Sequence, residues 1–151
     1  MEYNPNPKDY YPRMHSAEHI LNGTMDKIFQ KGRAISAHIE KKKSKCDYRF
    51  DRNLSPAEIQ KIEVKVNSVI SSDMKISEEF LPRDSAETEF NLKRLPDEAG
   101  DVIRIIRIGD YDACPCSGTH VSSTKEIGGF KIISTSFETN ILRIRFKLVD
   151  L

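Results

Sequence analysis

The sequence predicts an α+β domain, a mostly antiparallel sheet with helices packed on one side, and three observations carry that reading. Segments with apolar residues at helical spacing are mixed with alternating or continuous apolar segments, without the regular strand and helix alternation of a parallel sheet. Near the C-terminus Leu142, Ile144, Phe146 and Leu148 alternate with Arg143, Arg145 and Lys147, the period of a strand with one core face and one cationic face. At 151 residues, 38% hydrophobic and 31% charged, the chain can bury one continuous core but is too short for several domains.

Residues 1–12 contain Pro5, Pro7 and Pro12 and read as a flexible tail before a single domain over 13–151. A first helix is predicted over 14–31, where Ala17, Leu21, Thr24 or Met25, and Ile28 recur at helical spacing and Gly32 supplies a stop. Two strands follow, over 34–40 and 46–51. Ser55 with Glu58 forms a capping-box signature around Pro56, which opens a second helix with Ile59, Ile62, Val66 and Val69 on one face. Next come a strand over 75–81, a short helix opened by Asp84 or Ser85, and an apolar strand over 102–108. A hairpin closes the chain, with strands over 130–136 and 142–148 and a turn at 138–140.

The balance of 24 Lys and Arg against 23 Asp and Glu excludes an indiscriminate polycation. The charge is nevertheless partitioned: residues 1–54 carry +4, residues 55–101 carry −5 and residues 102–151 carry +2. Any nucleic-acid contact is therefore local. No apolar run approaches the roughly 20 residues that cross a bilayer. Residues 1–12 also lack the apolar core of a signal peptide, so the expected location is cytoplasmic, with no membrane partner. Cys46, Cys114 and Cys116 are an odd number in such a chain, which favours a metal or a reactive thiol over a disulfide framework.

Four residues stand out. His15 and His19, four apart on the predicted helix, share one face and can clasp a metal ion, although such a pair also arises by chance. Cys116 and His120 add a thiolate and an imidazole with three residues between them, among them Gly118, available for the turn. Together they make a His₃Cys set suited to zinc in softness and in tetrahedral count. His38, in a predicted strand, reads as an ordinary packed or exposed residue.

HSAEHIL (15–21), CSGTHV (116–121) and STKEIGGFKI (123–132) resemble the segments of the editing domain shared by alanyl- and threonyl-tRNA synthetases and by free-standing alanyl-tRNA editing proteins of AlaX type. The resemblance extends over 13–149. Thr119 resembles the alanyl branch, because the threonyl branch carries Pro before its second histidine. The resemblance implies hydrolysis of the ester joining a wrong amino acid, serine above all, to a tRNA, with zinc held by His15, His19, Cys116 and His120 in a cleft between helix and sheet. Such an ester is activated where a cation stabilises developing oxyanion charge. Ser16 and Thr119 are candidates for the amino-acid pocket.

Two positions depart from the family. Glu18 lies near the His15 and His19 face, where the synthetase domains carry a small or hydroxyl residue; it reads as a general base, as a hydrogen-bonding group of the pocket, or as a solvated residue at the edge of that face. Cys114 precedes Cys116 by two residues, and Pro115 between them suggests that the two sulfurs diverge, with Cys116 the ligand and Cys114 a neighbour or an alternative ligand.

Lys41, Lys42, Lys43 and Lys45, with Arg143 and Arg145 on the last strand, are the candidate tRNA phosphate contacts, and the basic segments leave room for one directed contact beside the metal. Read without a substrate, the lysine run is a solvated loop. With 14 residues before His15, the chain is expected to act in trans on mischarged tRNA, in transient contact with alanyl-tRNA synthetase. The rival readings are removal of serine from threonine tRNA, a non-catalytic zinc module that binds tRNA or a synthetase, and, because HSAEH fits the HxxEH pattern, a metallopeptidase.

Overall fold

A computed structural model describes residues 11–90 and 101–150. The architecture is α+β, with three α-helices and two antiparallel sheets among the described residues. The sequence reading had one sheet; the strands instead divide into a four-stranded sheet, β1(Ser36–His38), β2(Ser44–Arg49), β6(Gly129–Glu138) and β7(Ile141–Val149) in the order β1-β2-β7-β6, and a three-stranded sheet, β3(Ile76–Pro82), β4(Val102–Ile108) and β5(Asp112–Pro115). The tail expected over 1–12 falls, for residues 1–10, outside the described residues, and Pro12 already opens α1(Pro12–Phe29), where its missing N–H costs nothing. Gln30, not Gly32, ends that helix, in the left-handed region at φ 57.

Residues 14–25 of α1 are buried without a break, although its apolar residues cover only one face. The helix is enclosed because elements pack on several sides of it. Asn22 accepts a hydrogen bond from Tyr48 of β2 at 2.7 Å, Thr24 Oγ1 lies 2.6 Å from the Tyr111 hydroxyl just before β5, and Ala17, Ile20 and Leu21 join the main core. The second helix, α2(Pro56–Ser71), has the expected capping box: Glu58 N–H donates to Ser55 Oγ and Ser55 N–H donates to the Glu58 carboxylate. It runs along the outermost strand of the larger sheet. Its Asn67 exchanges two hydrogen bonds with the Phe130 backbone and its Glu63 accepts the Ile132 N–H at 2.7 Å.

The short helix α3(Arg83–Glu89) starts at Arg83, ahead of both Asp84 and Ser85. The β6–β7 hairpin turns at Thr139 and Asn140, both with positive φ, the backbone that a two-residue hairpin turn requires. Strand β5 was not anticipated, because its four residues end on Pro115, which gives no alternating signal and is tolerated only at an edge.

Candidate metal centre

The N-terminal half of α1 meets the segment that follows β5. His15 and His19 stand one helical turn apart, and one ligand atom from each of His15, His19, Cys116 and His120 lies within 4.8 Å of all the others. Cys116 Sγ is 3.5 Å from His15 Nε2, and the His120 ring centroid is 4.4 Å from those of both His15 and His19. The segment is held from outside by Arg104 of β4, whose guanidinium donates to the carbonyls of Cys116 and Gly118 at 3.1 and 2.7 Å and to Glu78 at 2.6 Å. Gly118 serves space and not only the turn: a Cβ there would sit 2.1 Å from His15 Cε1.

The imidazoles are oriented by their second nitrogens. His15 Nδ1 is 3.2 Å from the Thr119 carbonyl, which can only accept, so Nδ1 carries a proton and Nε2 faces the cluster. His120 Nδ1 is 3.0 Å from Ser16 Oγ, which also accepts the Val121 N–H at 3.2 Å. His120 Nε2 is buried without a hydrogen-bond partner. Burial, then the neighbouring His15 and Arg104, push the His120 pKa down to about 2, so its ring is neutral at ordinary pH. A neutral imidazole with an orphaned buried nitrogen among two histidines and a thiol fits a zinc ion in donor type and number.

Other positions differ from expectation. Glu18 does not lie at a solvated edge: its side chain is 6% exposed, Oε1 is 3.6 Å from His15 Nε2, and that oxygen has no hydrogen-bond partner. The Cys114 and Cys116 sulfurs meet different histidines, Cys116 Sγ at His15 within the four-residue group and Cys114 Sγ at His19 outside it. Cys114 Sγ lies 3.3 Å from His19 Nδ1, and burial pushes its thiol up to about 12. With Asp112 and His19 it forms a second group of potential ligands. Asp112 in that group already accepts two hydrogen bonds from Arg33, and Gly23 of α1 gives it room. Ser16 is fully buried, and its hydroxyl lies between His120 Nδ1 and the Val121 N–H. Thr119 is exposed, and its carbonyl anchors His15.

The cationic candidates lie elsewhere. Lys41, Lys42 and Lys43 are exposed in the bend between β1 and β2, while Lys45, Arg143 and Arg145 project from the face of the larger sheet opposite to the one whose Cys46, Tyr48, Ile144 and Phe146 join α1 in the core. They are not beside the metal candidates, because alternation along a strand sends odd and even positions to opposite faces. Arg143 is bound to Asp47 by two hydrogen bonds of 2.8 and 2.9 Å. His38 is exposed on β1 and paired with Glu40. Arg104 was missed in the sequence, and the signal for it was an arginine interrupting the apolar run of β4.

Residues 103–145 match the family described as the threonyl and alanyl tRNA synthetase second additional domain. The chain is 36% identical over 124 residues to the alanine-tRNA ligase of Leptospira biflexa and 35% identical over 139 residues to that of Staphylothermus marinus, matches that cover 79% and 89% of this chain but 13% and 15% of those proteins. It is 30% identical over 135 residues to the alanyl-tRNA editing protein AlaX-L of Pyrococcus horikoshii, covering 89% of this chain and 33% of that one. The chain thus spans a third or less of the length of these relatives. It carries a domain of the threonyl and alanyl tRNA synthetase second additional type, and by that domain it is a relative of the alanine-tRNA ligases and of the AlaX-type editing proteins.

Proposed function

We infer that this chain is a zinc-dependent aminoacyl-tRNA deacylase that removes serine from alanine tRNA. The observation that carries the reading is the orphaned Nε2 of neutral His120, converging with His15, His19 and Cys116 in a domain related to an alanyl-tRNA editing protein. Zinc held by His15, His19, Cys116 and His120 would supply positive charge beside the ester, favouring the charge that develops on its carbonyl oxygen. Thr119 and Ser16 fix the histidine rings, so their ligating nitrogens are set before the ion arrives. The buried Glu18 is the general base. Its carboxylate accepts a proton from the water that attacks the ester carbon, the bond to the ribose oxygen breaks, and that oxygen leaves with a proton. Correctly charged alanine is spared because pocket groups that the serine hydroxyl satisfies are left unpaired by a methyl group.

The test is deacylation of seryl and glycyl alanine tRNA, seryl threonine tRNA and correctly charged alanine tRNA, with and without a chelator. Turnover of seryl alanine tRNA that a chelator abolishes and zinc restores is expected. Preference for seryl threonine tRNA would move the specificity to the threonyl branch. No turnover of any substrate by zinc-loaded protein would overturn the reading in favour of a binding module.

A further inference from the structure

The outer face of the larger sheet has a charge pattern that the candidate metal centre does not use. Cross-strand rows can be compared there. In one, Asp47 of β2 stands opposite Arg143 of β7 and the two form an ion pair. In the next, Lys45 stands opposite Arg145, and further along Lys147 of β7 stands opposite Lys131 of β6. Like charges directly opposite each other destabilise a sheet. None of Lys45, Arg145, Lys131 and Lys147 enters the ion pairs formed among the described residues. Arg145 instead donates to the hydroxyls of Ser134 and Ser136, at 3.3 and 3.4 Å, acceptors brought beside it after the β6 bulge between Ile132 and Ser134. No other element among the described residues covers this face: Lys131, Ser134, Ser136 and Lys147 are exposed.

We propose that the outer face of this sheet is an RNA-binding surface, gripping a phosphate backbone through Lys45, Arg145, Lys131 and Lys147 with the serine hydroxyls as further donors. Two rows of cations that stand outside the ion pairs, with hydroxyl groups beside them, complement a polyanion, whose phosphates supply further counter-charge. The choice of RNA rests on the proposed deacylase function; the charge pattern does not. The face lies across the sheet from α1, so the contact is made by the body of a tRNA and not by its aminoacyl end at His15 and His19.

Binding of uncharged tRNA to zinc-loaded protein, followed over a range of salt concentrations, tests this. Lys131→Glu with Lys147→Glu, and Lys45→Glu with Arg145→Glu, should each weaken binding on the order of tenfold and lower the slope of log affinity against log salt by about two, one per contact. Lys61→Glu with Lys65→Glu on α2, the same change in net charge, should leave both unchanged. Glutamine replacements at the same four positions give the same direction if a charge-reversed pair fails to fold. Unchanged affinity and slope in the sheet variants, an equal loss in the α2 control, or a loss confined to phosphatidylserine vesicles would overturn the proposal. Failure of the deacylase reading is separable: no turnover of any aminoacyl-tRNA, with the salt slope still dependent on these four residues, refutes hydrolysis and leaves the surface standing.

Discussion

The two faces of α1 are equally buried and differ in kind. Ala17, Ile20 and Leu21 on one side have no exposed surface, and neither does Thr24, whose hydroxyl is satisfied by the Ile20 carbonyl; His15, Glu18, His19 and Asn22 on the other are between 3 and 5% exposed. Burial of the first face stabilises the fold by removing apolar area from water. Burial of the second costs free energy wherever a partner is lacking, and the Glu18 Oε1 lacks one. A helix that accepts this cost along one face and not the other separates what holds the domain together from what the domain is for.

The sharpest break in that comparison comes from Gly118, which touches only the polar side. Gly118→Ala should displace His15 and abolish zinc binding while the melting temperature of the metal-free protein stays within a few degrees of the parent; metal content and a thermal melt read the two together. Glu18→Gln should cut deacylation of seryl alanine tRNA by roughly 10²–10⁴-fold with zinc content unchanged, and full activity would remove Glu18 from the mechanism. Leu21→Ala is the mirror image, costing about 2–5 kcal/mol in denaturant unfolding because it leaves a cavity, with zinc stoichiometry intact.

Smaller effects sharpen the contrast. Cys114→Ala removes the contact to His19 Nδ1 and should weaken zinc binding by about 10–100-fold, whereas Cys116→Ser should lose the metal; a competitive chelator titration ranks them, and the reverse ranking would make Cys114 the ligand. The polar face should also sense acid. The folded His120 pKa is depressed to about 2 from an ordinary value near 6.5, so between those values the unfolded chain binds more protons than the folded one. Stability of the metal-free protein should therefore fall as pH drops below about 6.5, by up to about 1.4 kcal/mol per pH unit, with a shallower slope in His120→Gln.

Much of this was legible in the residues. The capping box at Ser55, the alternation of the last strand and the two half-motifs are local patterns, and local patterns survive folding. What was hidden depends on packing between distant segments. Periodicity shows that Ala17 and Leu21 share a face but not that β2 and β5 cover the opposite one, so Glu18 looked as eligible for solvent as for a buried site. The contact of Cys114 with His19 was hidden for the same reason, because spacing to Cys116 does not show which side of α1 β5 packs against. The placement of Lys45 and Arg145 across the sheet from α1 follows from alternation once the inner residues are known, and a net charge cannot reveal it.

The seating of α2 along β6 has a consequence of another kind. An outermost strand offers its unpaired amides to any passing chain, and proteins blunt such edges to avoid stacking into aggregates. Here the deterrent is supplied by two side chains, since Asn67 occupies the Phe130 backbone and Glu63 the Ile132 N–H, while the opposite border, β1, is only three residues long. The first residues of β6 and the short β1 are therefore poor templates for strand addition to this sheet, and loosening α2 would expose the Phe130 and Ile132 backbone to it.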